Sequence, residues 1–176
     1  MRSRVWIIFG LFFPACLGLM RQLIWGDELA AQVLALVLLL LGIDQARMAV
    51  VDLDRVFAVQ QQGQDDRLHN FYTITVSTIA LELVGFYAAA YWLGWGAICI
   101  LLSQVWFNLL TNVRLQPLAE PAIETWALAE RLPVLLADGI GLALVGLWML
   151  QIAPLAIALG LLGLLVAYGW VKYGAS

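Results

Sequence analysis

The chain has 176 residues, of which 64% are hydrophobic and 12% charged, and a net charge of −3. A soluble domain carries roughly 45–50% apolar and about 25% charged residues, which excludes water as the solvent for most of this surface. With no basic stretch of the kind that holds a nucleic acid or a lipid headgroup, nucleic acid is excluded as a partner.

The apolar residues gather near 5–25, 29–50, 71–91, 93–111, 134–150 and 154–171. Each run is close to the roughly 17–25 residues that a helix needs to cross a bilayer. The expected fold is all-α: a polytopic integral membrane bundle of six transmembrane helices in three hairpins, forming one transmembrane domain over residues 1–176. The alternative is four spans plus interfacial helices.

The first run opens with Met1-Arg2-Ser3-Arg4, which also suits a signal peptide, and Phe13-Pro14-Ala15-Cys16 has the outline of a lipoprotein cleavage site. Phe and Pro fit that site poorly, and the charge distribution favours an uncut anchor. The second run is clean from Leu29 to Ile43, then meets Asp44, Gln45 and Arg47 before Met48-Ala49-Val50-Val51. This predicts a helix that outruns the bilayer. Arg21 and Asp44 crowd the ends of the first hairpin and leave open whether it crosses fully. Residues 52–70 form a polar connector or a docking surface, and Gly63 is expected to end the helix before it.

The third span carries Glu82 near its middle, where an ionisable side chain costs a few kcal/mol. Thr75, Thr78, Glu82 and Gly85 follow helical spacing along one face, and Gln104, Asn108, Thr111 and Asn112 do so on the fourth span. The connection between the two spans, Trp92 to Trp95, is short, so they are antiparallel neighbours. Centring the turn near residue 93 places Glu82 beside Gln104, Thr78 beside Asn108 and Thr75 beside Thr111. These six residues are the candidate intramembrane polar seam, in which an uncharged Glu82 carboxyl is expected to donate to the Gln104 amide. Such a ladder serves as structural glue, handles a proton or ion, or contacts a pigment whose magnesium takes carboxylate or amide ligands.

The connector 112–133 contains Pro117, Pro121 and Pro133. Pro121 suits the first turn of a helix lying along the membrane surface, with Ile123, Trp126 and Ala127 toward lipid and Glu124 and Arg131 hydrated. Pro133 would then restart the chain into the fifth span. Asp138, the secondary candidate, lies just inside that span and is expected to reach the interface or pair with Arg131. Ala156, Gly160, Gly163 and Ala167 on the sixth span, with Ala137 and Gly141 on the fifth, predict close packing of the last hairpin.

Placing both termini in the cytoplasm puts Arg2, Arg4, Arg47, Arg55, Arg67, Arg114, Arg131 and Lys172 inside and leaves Arg21 outside, eight of the nine positive charges. Tryptophans agree: Trp25, Trp92, Trp95 and Trp148 fall at the outer ends of spans and Trp6, Trp126 and Trp170 at the inner ends, with Trp106 inside a span.

Cys16 and Cys99 are isolated and lack metal or redox spacing, and His69 is the single histidine, so one chain cannot supply bis-histidine haem ligation. No lysine lies deep in a span for a Schiff base. Gly139-Ile140-Gly141 followed by Gly146 has no preceding strand and is not a dinucleotide motif. There is no paired-acid, Ser-His-Asp or His-Glu-x-x-His arrangement, so no catalytic residues are assigned and no enzyme is expected. No metal site is assigned and no cofactor is required.

Residues 129–149, from Ala129-Glu130-Arg131-Leu132-Pro133-Val134-Leu135-Leu136-Ala137-Asp138-Gly139-Ile140-Gly141 through Leu147-Trp148-Met149, resemble a segment of small uncharacterised polytopic membrane proteins of cyanobacteria. The resemblance covers about an eighth of the chain. It implies a bacterial plasma or thylakoid membrane and no activity.

The leading expectation for function is a non-catalytic accessory subunit, assembly factor or scaffold of a larger membrane complex, in contact with lipid and with membrane-protein partners or its own copies. Residues 52–70 and 112–133 would be its contact surfaces. The alternative is a small oligomeric transporter or channel using Glu82. A transporter calls for an aqueous cavity at Glu82 and a broken helix beside it; an accessory subunit calls for a dry, packed Glu82.

Overall fold

The computed structural model describes residues 2–61, 65–116 and 122–174. Six helices follow one another: α1 (Arg2–Trp25), α2 (Leu29–Gln60), α3 (Asp66–Ala89), α4 (Leu93–Leu110), α5 (Leu128–Met149) and α6 (Pro154–Gly174). A two-stranded hairpin, β1 (Val113–Gln116) and β2 (Ala122–Thr125), lies between α4 and α5. The bundle is all-α apart from that hairpin, and five of the helices are long and apolar enough to cross a membrane. Both helices of the first hairpin are among them. The sixth is apolar over the 17 residues Pro154–Trp170.

The helices alternate in direction, so both chain ends and the β-hairpin share one face, called here the terminal face, and the short helix turns share the far face. Helices α2, α3, α4, α5 and α6 contact one another in a ring, which α6 closes by packing on α2, and α1 lies outside in the groove between α2 and α3. The α1 stripe Ile8, Phe12, Ala15 and Leu19 is buried at alternating four- and three-residue spacing, the pattern of a helix that packs along one seam. Gln22 Nε2 donates to the Ala90 carbonyl at 3.0 Å and ties the end of α1 to the α3–α4 turn.

Small residues bring α3 and α4 together near the far face. A Cβ on Gly96 would meet the backbone of Ala89, and one on Gly85 would come within 2.7 Å of Ile100. The stripe predicted to do this for the last hairpin does not: Gly160 and Gly163 have nothing within 4 Å, Ala137 is exposed, and Gly141 faces Leu101 of α4. The reason is topological, because α6 buries Ala158 and Leu161 against the bundle instead.

Helix α2 runs unbroken for 32 residues, longer than the roughly 17–25 that a bilayer crossing needs, ending at Gln60 with Gln61 as its C-cap; Gly63 lies outside the described residues. Asp65 caps α3, its Oδ1 accepting the Arg67 N–H at 2.8 Å. The same carboxylate holds the Arg67 guanidinium at 2.8 Å.

The connector after α4 corrects the expected interfacial helix. It is an antiparallel hairpin with Leu115 opposite Ile123 and Arg114 opposite Glu124, while Pro117 and Pro121 lie outside the described residues. Val-Arg-Leu-Gln alternates with period two. This alternation buries Val113 and Leu115 with Val56, Val59, Leu68 and Phe71 in a second small core on the terminal face. Helix α5 begins at Leu128, ahead of Pro133, which lies inside it. Pro133 is in the second turn, where the missing N–H removes only the bond to a first-turn carbonyl.

Candidate functional site

Thr75, Thr78 and Glu82 recur at intervals of three and four residues on α3 and turn inward together, all buried. Glu82 is 3% exposed. From α4, Gln104 reaches it, Nε2 donating to Oε1 of Glu82. This is the pair that the turn-centred register predicts, with the direction reversed: the amide donates to the carboxyl.

The other two rungs differ from a ladder. Thr78 Oγ1 donates to its own helix at the Ile74 carbonyl, 2.8 Å away, and Asn108 Nδ2 donates to the Gln104 carbonyl at 2.9 Å. The Oγ1 atoms of Thr75 and Thr111 are both buried without a hydrogen-bond partner. Short hydroxyl and amide side chains in a helix reach the carbonyl one turn back more easily than a neighbouring helix. A further cross-helix bond, unforeseen from sequence, is donated by Trp106 Nε1 to Ser77 Oγ at 3.2 Å.

Glu82 opens onto a cavity of about 110 Å³. Helix α2 lines it with Gln45 and Asp52, α3 with Thr75, Thr78 and Glu82, α4 with Gln104, and α6 with Tyr168. A water needs roughly 10–15 Å³ of such space and two to four polar partners, so this cavity accommodates several waters. The carboxylates of Asp44 and Asp52 are close enough to act electrostatically on Glu82. Asp52 also pairs with Arg55 one turn along α2 at 3.5 Å.

Toward the terminal face, Met48, Asp52 and Phe107 also line a larger groove of about 570 Å³ under the β-hairpin, so cavity and groove adjoin. Toward the far face, the path meets packed apolar side chains: Phe86 is fully buried against Gly42 and 5.6 Å from the Phe12 ring, and Ile100 fills the space over Gly85. The cavity is thus one-sided. Sequence reasoning missed Gln45, Asp52 and Tyr168 as lining residues. Gln45 and Asp52 are seven residues apart on α2, a spacing that could have placed them on one face.

Arg131 was expected to be hydrated or to pair with Asp138, and it does neither. It is 6% exposed, and its guanidinium donates to the Thr111 carbonyl, to the Asn108 carbonyl at 2.7 Å and through Nε to the Ala127 carbonyl at 3.4 Å. Its Cζ lies 5.7 Å from the centre of the Trp126 ring. Arg131 therefore caps the C-terminus of α4, where the last carbonyls carry partial negative charge and lack helical partners. Asp138 is partly buried on α5, with Oδ2 lacking a hydrogen-bond partner.

Among the described residues no group of three or more His, Cys, Asp or Glu could hold a metal ion. Cys16 and Cys99 are free and half-buried. No family profile, curated protein or solved structure matches this chain.

Proposed function

We propose that this protein handles a proton or small ion at Glu82, as a compact transporter or channel in a membrane. The observation that supports this reading is the polar cavity joining a buried carboxyl in the middle of a span to one face of the bundle. Burying a carboxyl in hydrocarbon is costly, and such residues are retained mainly where they do work on a solute. Helix α3 runs unbroken through Glu82, so the expected helix break is not part of this site. Ligands come from side chains.

Eight of nine positive charges on the terminal face support a cytoplasmic side for both termini and the mouth of the cavity in this reading, and a plasma or thylakoid membrane is part of the same proposal. The test is flux into liposomes loaded with a pH-sensitive dye under an imposed cation gradient. Flux lost in Glu82→Gln supports the reading. A folded wild-type chain that conducts nothing overturns it.

A second reading, that of a non-catalytic accessory subunit or scaffold with membrane-protein partners, is favoured by the small core that packs the β-hairpin onto α2 and α3. An ordered platform outside the bilayer suits a docking role. A mild-detergent pull-down at native expression, with mass spectrometry and an absorbance spectrum, tests it. Stoichiometric partners or bound pigment support it; a clean, colourless homo-oligomer sinks it.

A further inference from the structure

The polar groups around Glu82 differ in how their protons are used. The Thr78 hydroxyl is committed to the Ile74 carbonyl, the Gln104 amide donates to Glu82, and the Asn108 amide donates to the Gln104 carbonyl. These three donations stay within the protein, while the Gln45 amide and the Tyr168 hydroxyl also line the cavity. A hydroxyl that gives its proton to a carbonyl still has oxygen lone pairs to offer. Thr75 Oγ1 is buried in the same cavity wall with no partner of any kind. The cavity therefore presents oxygen acceptors from Thr75, Thr78 and the Glu82 carboxylate. An oxygen lining built around a buried carboxylate matches a hard cation and repels an anion.

The charge count selects the valence. Glu82 is the buried carboxylate on the wall, while Asp52 at the mouth lies 3.5 Å from the Arg55 guanidinium, which offsets its charge. One negative charge balances a monovalent ion. Calcium and magnesium sites recruit several carboxylates or six to eight oxygens, and no acidic or histidine cluster of that size exists among the described residues.

We propose that Thr75, Thr78 and Glu82 form a binding site for a dehydrated or partly hydrated monovalent inorganic cation of the sodium class, entering from the groove beneath the β-hairpin. This rests on the transport reading and names its substrate class. Helix continuity fits the proposal: with the α3 carbonyls engaged in the helix, threonine oxygens take their place as ligands. A proton competes for the same carboxyl, since a protonated Glu82 donates to the Gln104 oxygen once that amide rotates. The other titratable groups facing the site are Asp44 and Asp52 from α2 and Tyr168 from α6.

The test is sodium-22 binding to the purified full chain in nanodiscs, with lithium, potassium and choline chlorides as competitors at constant ionic strength. Saturable binding displaced by lithium or unlabelled sodium, and untouched by choline, is expected. Thr75→Val, which removes an oxygen without changing charge or shape, should weaken it by about tenfold or more, and Glu82→Gln should abolish it. Absent binding in folded wild-type protein, or equal binding in both variants, overturns the proposal. The two readings fail separately: proton flux through Glu82 without sodium binding sinks only the cation site, and sodium binding without flux sinks only transport.

Discussion

Gln104 on α4 donates to Glu82 on α3 at the level where the two helices enclose a polar cavity, so the bond joins the packing of the hairpin to the state of its acid. Replacing Gln104 by Leu leaves a buried carboxyl without its partner. The expected cost is about 1–3 kcal/mol of unfolding free energy. Glu82→Leu combined with Gln104→Leu should recover most of it, which a double-mutant cycle in mixed micelles would read directly. Additive losses would show that the bond contributes nothing.

Gly96 has the Ala89 backbone where its own Cβ would be, whereas Gly160 has open space. Gly96→Ala should therefore destabilise the bundle by about 1–3 kcal/mol through overpacking. Gly160→Ala should be neutral or slightly stabilising, because alanine is the better helix former. Thermal unfolding followed by tryptophan fluorescence separates the two; equal melting temperatures would contradict the packing described.

Arg131 holds the end of α4 and, through Trp126, the base of the β-hairpin. Arg131→Ala should free this region and speed tryptic cleavage after Arg114, which is exposed on β1. Arg131→Lys should protect only in part, since an ammonium has no second nitrogen for the Ala127 carbonyl and no planar group to stack on indole. Unchanged digestion of Arg131→Ala would remove the capping role.

Asp65, outside the spans, is held below the ordinary carboxylate range first by its side-chain hydrogen bonds from Arg67 and then by the Arg67 backbone N–H. Its folded pKa is depressed, so the contribution to α3 is present above the ordinary aspartate value and is lost as pH falls through the folded one. Between pH 5 and 8 the wild type should show no change from this group. On acidification below about pH 4, wild-type helicity should decline in a component missing from Asp65→Asn, as circular dichroism would record. A decline of equal size in both proteins would remove the cap from the explanation.

The spans were legible because hydrocarbon imposes one strong rule on composition, and the Glu82–Gln104 pair was legible because a short turn fixes the register on both sides of it. Less local features were not. Val113 and Leu115 fall in the connector 112–133, and nothing local marks them as core until the terminal ends of α2 and α3 supply the surface they cover. The ligands of Arg131 are backbone carbonyls, which every residue owns and no side-chain pattern advertises. The small stripe on α6 was misplaced because spacing gives a face but not the neighbour it meets; that choice was made by α6 packing on α2. Tyr168 joins the Glu82 cavity for the same reason, brought in by a helix distant in sequence, and Asp52 by the helix preceding α3.

The helices differ greatly in length: α4 has 18 residues and α2 has 32. These correspond to about 27 Å and about 48 Å. A bilayer whose hydrocarbon is roughly 32–33 Å thick leaves α2 indifferent but exceeds α4. Any mismatch taken up at the end of α4 that Arg131 closes would make a thick membrane pinch inward around this helix or draw a guanidinium into oil. Membrane thickness thereby becomes a selective pressure on where the protein resides, exerted through its shortest helix and felt at Arg131.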